Sequence, residues 1–140
     1  MIYKRDGALI AARLDKGEEV MEQLVLLAQK EHISLASVSG IGAADRVELG
    51  IFDPAKKAYD RFVYDGAYEI LSLQGNITLN GGKPFGHLHI LCGEEGARVF
   101  GGHLFSARLL LTCELFITVL DAAADRIPNP DLGISQMVFR

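Results

Sequence analysis

The sequence predicts an α+β fold, mainly antiparallel β-sheet with one main helix packed on it, as a single domain over residues 1–140. Three observations carry this expectation. Only one segment, near the N-terminus, repeats its apolar residues at helical spacing. The rest breaks into short runs rich in β-branched residues, divided by glycine-bearing turns. Apolar residues make up 49% of the chain, enough to fill one core of ordinary domain size.

Gly7–Leu14 (Gly-Ala-Leu-Ile-Ala-Ala-Arg-Leu) reads as a first strand. Asp15 followed by Glu18 gives a capping-box-like helix start. The helix runs to about His32, with Val20, Leu24, Leu27 and Ala28 on a buried face and Glu18, Glu19, Glu22 and Gln29 facing away. Strands are expected at Ser34–Ser39, Val47–Phe52, Arg61–Tyr64, Tyr68–Leu79, Gly86–Leu91, Arg98–Leu104 and Leu109–Leu120. Asp53–Lys57 reads as a hairpin tip, Asn80–Pro84 as a longer turn and Cys92–Gly96 as a third turn. Ile127–Asp131, with two prolines, reads as an irregular crossing before a last short strand, Ile134–Phe139.

Leu109–Leu120 is the most apolar stretch, but Thr112, Glu114 and Thr118 interrupt it and it is too short to span a bilayer. One parity of this strand (Leu109, Leu111, Cys113, Leu115, Ile117 and Val119) is apolar throughout, a core face. The other is mixed. One helix cannot cover both faces of so large a sheet, so part of the mixed face is expected to be buried against another copy of the chain. A second, unrecognised helix is the alternative cover.

Fourteen basic against 18 acidic residues give a net charge of −4, the wrong sign for a chain that gathers phosphates by itself. The basic groups Lys4 with Arg5, and Lys56 and Lys57 with Arg61, read as solvated strand ends, so autonomous DNA binding is not expected. Cys92 and Cys113 form no Cys-x-x-Cys pair, and the first residues lack a secretory pattern; together these point to the cytoplasm, with no membrane partner. Neither Gly40/Gly42 nor Gly81/Gly82 has phosphate-loop spacing, and Ser39 has no base beside it.

The concentrated chemistry is histidine. In a strand, His87 and His89 share a face and Leu88 takes the other, so two imidazoles stand side by side. A third from the next strand, His103, would complete a tripod for one divalent transition metal, most simply zinc, with a position left open to water. A turn centred on Glu95 puts His103 opposite His87. One centred between Glu94 and Glu95 puts it opposite Gly86, on the wrong face, unless Gly101-Gly102 restores the facing through a bulge. Hydrogen-bonded packing is the alternative role for each ring. His32, at the helix end, reads as a favourable charge near the C-terminal dipole. Glu69 and Glu114, inside expected strands, are candidates to orient a histidine ring or move protons, with salt bridges or an exposed face as the alternative.

Val38-Ser39-Gly40-Ile41-Gly42-Ala43, Tyr68-Glu69-Ile70-Leu71-Ser72-Leu73-Gln74-Gly75-Asn76-Ile77, Pro84-Phe85-Gly86-His87-Leu88-His89, and Gly101-Gly102-His103-Leu104 followed by Thr112-Cys113-Glu114 together resemble the plants-and-prokaryotes-conserved (PPC) domain family, in family order. The match is to its stand-alone prokaryotic type. The resemblance implies a sheet-rich α+β domain assembling as a homotrimer, with a fold similar to that of acetolactate decarboxylase. It also implies metal ligands at His87, His89 and His103. Prokaryotic members are often labelled DNA-binding, yet this chain has no Arg-Gly-Arg-Pro hook to enter a minor groove.

The expectation is therefore a homotrimeric protein with a three-histidine metal site and no assignable reaction. One alternative is a small metalloenzyme using metal-activated water or carbonyl chemistry, of lyase or hydrolase type. The other is a nucleic-acid-associated regulatory protein. A small-molecule ligand is compatible with either of the metal readings.

Overall fold

Gly7, with its positive φ of 57°, and Ala8 turn strand β1 (Ile2–Asp6) back onto β2 (Leu9–Leu14). The first strand expected over Gly7–Leu14 is thus the second arm of a hairpin. This is a computed structural model and it describes every residue, Met1–Arg140.

Asp15 and Glu18 do bond reciprocally, the Asp15 N–H donating to Glu18 Oε2 at 2.7 Å and the Glu18 N–H to the Asp15 carbonyl at 3.2 Å. They close the turn before the helix rather than opening it. Helix α1 (Val20–Lys30) is capped by Glu19, whose carboxylate accepts from the N–H groups of Met21 at 3.1 Å and Glu22 at 2.7 Å. Glu19 Oε1 also accepts from the Ala107 N–H at 2.8 Å, so a side chain expected to face away ties the helix to the sheet. Val20, Leu24, Leu27 and Ala28 form the buried face, as their spacing requires. No second α-helix exists; between Glu94 and Arg98 there is only a 3-10 turn, Glu95–Ala97.

The separate runs expected downstream fuse into long bent strands: β3 (Ala36–Asp53), β4 (Ala58–Asn80), β5 (Lys83–Gly93) and β6 (Val99–Val119). Register shifts at Gly40/Gly42, Gly42/Ala44 and Ala44/Arg46 let the chain bend without leaving the sheet. The β4–β5 connection is tighter than expected, since only Gly81 and Gly82, both at positive φ, lie between the Asn80–Lys83 pair. The shift between Gly42 and Ala44 also interrupts the core face of β6 at one position. Leu111 leaves the core face and is 59% exposed, while Leu109, Cys113, Leu115 and Ile117 stay buried.

β3 pairs with β4, β4 with β5, β5 with β6 and β6 with β3, so these four strands close a ring of antiparallel pairings. β2 extends the sheet from β6. On the other side Ala124–Asn129, which takes in the first part of the Ile127–Asp131 segment expected to be irregular, is strand β7, tied to β4 by the single parallel pair Leu79–Asp125 and along its length to β8 (Ile134–Phe139). Pro128 sits beyond that single pair, at an edge where a missing N–H is tolerated.

Inward residues of β2 to β6 and the apolar face of α1 form one continuous core. Outside the ring Ile41, Leu71, Leu91, Leu111 and Phe116 remain exposed. No helix is long and apolar enough to cross a membrane.

Candidate metal centre

In β5 the residues Gly86, Leu88, Ile90 and Cys92 point into the core, and a side chain at Gly86 would meet Met21 and Leu24 of α1. Alternation therefore turns His87 and His89 to the opposite face. The turn between β5 and β6 is centred on Gly96, where φ is 78°, one residue beyond the centre that would have set His103 opposite His87. His103 lies directly opposite His89 instead, on the correct face and without a bulge between these strands. Gly101 and Gly102 serve close approach: a Cβ at Gly101 would strike the Ile90 carbonyl, and one at Gly102 would lie 2.7 Å from the Gly50 carbonyl. The neighbouring irregularity falls where β6 pairs with β3, between the Leu49–Leu104 and Glu48–Ser106 pairs.

The three rings form a near-equilateral triangle, with centroids 5.4 Å (His87–His89), 5.1 Å (His87–His103) and 5.6 Å (His89–His103) apart. One ligating nitrogen from each lies within 4.8 Å of the others. A tetrahedral ion with bonds of about 2.0 Å needs nitrogens roughly 3.3 Å apart, closer than that limit. Tyr59 lies over His103 at 4.7 Å and Phe105 meets it edge-on at 4.9 Å, so two aromatic rings restrict its rotation.

Arg126 reaches this cluster from β7. Its Nε donates to Thr78 Oγ1 at 3.1 Å, and its Nη2 donates to Asn76 Oδ1 at 2.7 Å and to His87 Nδ1 at 3.2 Å. Thr78 is the one fully buried polar side chain, and this bond satisfies it. Burial, reinforced by the Arg126 charge and by His89, holds the His87 imidazole below its ordinary value. Burial likewise brings His103 down to about 4, helped by His87, His89, Arg126 and Arg61. His87 and His103 are therefore neutral near pH 7, the form that ligates metal. His103 Nδ1 is buried with no hydrogen-bond partner. An orphaned imidazole nitrogen, costly unless something binds it, facing two more histidines fits a transition metal.

Glu69 and Glu114 are not brought to the histidines. Both are exposed, and they line a separate hollow together with Ile41 and Leu71. His32 lies just past the helix cap at a φ of 54° and is not part of the three-histidine cluster. Arg126, Asn76, Thr78 and Tyr59 escaped the sequence reading. The polar alternation of Gln74, Asn76 and Thr78 within an apolar strand is a readable signal, whereas nothing around Arg126 distinguishes it.

The sequence pattern of the Plants and Prokaryotes Conserved (PCC) domain matches residues 1–121. The chain belongs to that family. Among solved structures, this PCC domain is similar to a candidate DNA-binding protein of Bacteroides thetaiotaomicron, with 30% identity, a TM-score of 0.94 and coverage of 99% of this chain and 96% of that one. It is also similar to a metal-containing protein of Archaeoglobus fulgidus, with 34% identity, a TM-score of 0.89 and 99% of each chain covered. The α-acetolactate decarboxylase of Bacillus subtilis shares the fold alone, at 18% identity and a TM-score of 0.58 over 90% of this PCC domain and 58% of the decarboxylase. No curated protein matches the sequence.

Proposed function

We propose that this PCC domain is a homotrimeric metal-binding protein that holds one divalent transition metal, zinc by preference, on His87, His89 and His103. The observation that carries the reading is the closed triangle of ligating nitrogens, all within 4.8 Å, in which His103 Nδ1 has no other partner. The description of the Archaeoglobus relative as metal-containing agrees with it. The preference for zinc rests on its tolerance of tetrahedral three-histidine sites; imidazole suits nickel, copper and iron as well. Buried, unpaired Cys92 and Cys113 fit a reducing, cytoplasmic setting.

Elemental analysis of untagged protein dialysed against zinc tests the reading. One zinc per chain is expected for the wild type and for His32→Ala, and none for His89→Ala, which breaks the same-strand chelate. Substoichiometric zinc in the wild type, or equal zinc in His89→Ala, would return the trio to packed histidines.

A second reading, a small metalloenzyme that activates water or polarises a carbonyl, is favoured by a cavity of about 510 Å³ opening on His87 and His103. DNA binding has less support. The chain's charge is −4. Its basic residues are largely paired: Arg5 with Glu31, Arg46 with Asp65, Lys56 with Asp53 and Asp60, Arg61 with Glu48, and Arg108 with Asp45.

A further inference from the structure

A divalent ion on the three histidines would sit among neutral imidazoles, with no Asp or Glu in the cluster. Beside it stands Arg126, partly buried and without a carboxylate partner. Its three bonds go to the neutral groups of Thr78, Asn76 and His87. The adjacent Asp125 carboxylate is taken by Arg140. Metal and guanidinium together would place about three positive charges in a partly dry pocket, an arrangement that calls for an anion.

The hydrogen bonding provides for one. The Nε and Nη2 hydrogens of Arg126 are engaged, while Nη1 has no partner in the protein. Because arginine only donates, His87 Nδ1 must accept in the metal-free state, so Nε2 carries that ring's proton. Ligation through Nδ1 occupies the acceptor. Ligation through Nε2 moves the proton to Nδ1 and makes it a donor. Either way the arginine would lose its imidazole partner to a bound metal, which would release an Nη2 hydrogen.

We propose that Arg126 and the cavity beside the histidines bind a small organic carboxylate, one oxygen facing the metal position and the other the guanidinium. This inference rests on the metal reading above. The guanidinium fork matches a planar carboxylate. Phe85, Ile134 and Met137 give the cavity an apolar wall for the organic part, and Arg126 is the only arginine or lysine lining it. Arg126 lies beyond residue 121, where the family pattern ends, so β7 and β8 add this ligand chemistry to the matched part of the chain.

Cobalt-loaded wild-type protein and Arg126→Gln, each checked for bound cobalt and for native near-ultraviolet dichroism, are titrated with acetate, acetamide and inorganic phosphate while the visible cobalt spectrum is followed. Both proteins should hold one cobalt. Acetate should perturb the wild-type spectrum saturably, and acetamide should not. Arg126→Gln should weaken acetate roughly tenfold to a hundredfold, the worth of a hydrogen bond to a charged group. Equal acetate affinity in the two proteins, or tighter phosphate than acetate, overturns the carboxylate assignment while the metal reading stands. Failure of the wild type to bind cobalt overturns the metal reading and this inference with it. Should Arg126→Gln not fold, Arg126→Lys, which keeps the charge and loses the fork, must show the same weakening.

Discussion

His103 is deprived of solvent by Tyr59 and Phe105 and surrounded by other positive or ionisable groups, so its ring resists protonation down to about pH 4. An unfolded imidazole takes up its proton near ~6.5. Between those values the unfolded chain binds a proton that the native protein refuses, and stability therefore falls as pH falls. The metal-free protein should keep its full urea midpoint above about pH 6.5 and lose it progressively toward pH 4. His87, also held low, acts in the same direction. His103→Gln should flatten this dependence; a midpoint equally steep in both proteins would place the titration elsewhere. The His87–His89 pairing was legible because strand alternation alone sets it. Arg126 was not, because its role comes from a β7 strand that joins β4 at one residue pair, Leu79–Asp125.

Among the elements, the β4–β5 ladder positions two of the three clustered histidines, and Gly75 is its point of closest approach. A Cβ there would strike the His87 carbonyl and lie 2.7 Å from Leu88 Cα. Gly75→Ala should therefore cost about 1–3 kcal/mol by denaturant unfolding. It should also weaken zinc binding, because the displaced backbone carries His87; an unchanged midpoint and unchanged zinc affinity would show that the ladder yields freely. The helix was readable from its 3.6-residue period, although its cap was misplaced, because the Asp15–Glu18 pair satisfies the same bonding pattern one turn early. The β5–β6 facing was not readable. A shift of half a residue in the turn centre exchanges the faces of a strand, whereas the whole-residue shift to the left-handed Gly96 keeps His103 on the histidine face.

For the whole molecule, the antiparallel character was plain from the turns, but the closed ring was not. Long strands that bend through register shifts look in sequence like several short ones. The ring puts its inward residues in one core and leaves Ile41, Leu71, Leu111 and Phe116 outside it, the last 63% exposed. So much apolar surface on strands calls for a partner, and the trimer proposed above, which the family resemblance implies, would supply two. Light scattering coupled to gel filtration should return three times the chain mass, and a stable monomer at micromolar concentration would contradict it.

The three histidines all lie in the single hairpin formed by β5 and β6, whereas Arg126 arrives with β7. As a ribosome makes the chain, the three histidines emerge first, on two strands joined by a short local turn, while the arginine is still unmade. The nascent chain thus carries the proposed metal ligands before it carries the residue proposed to recognise an anion.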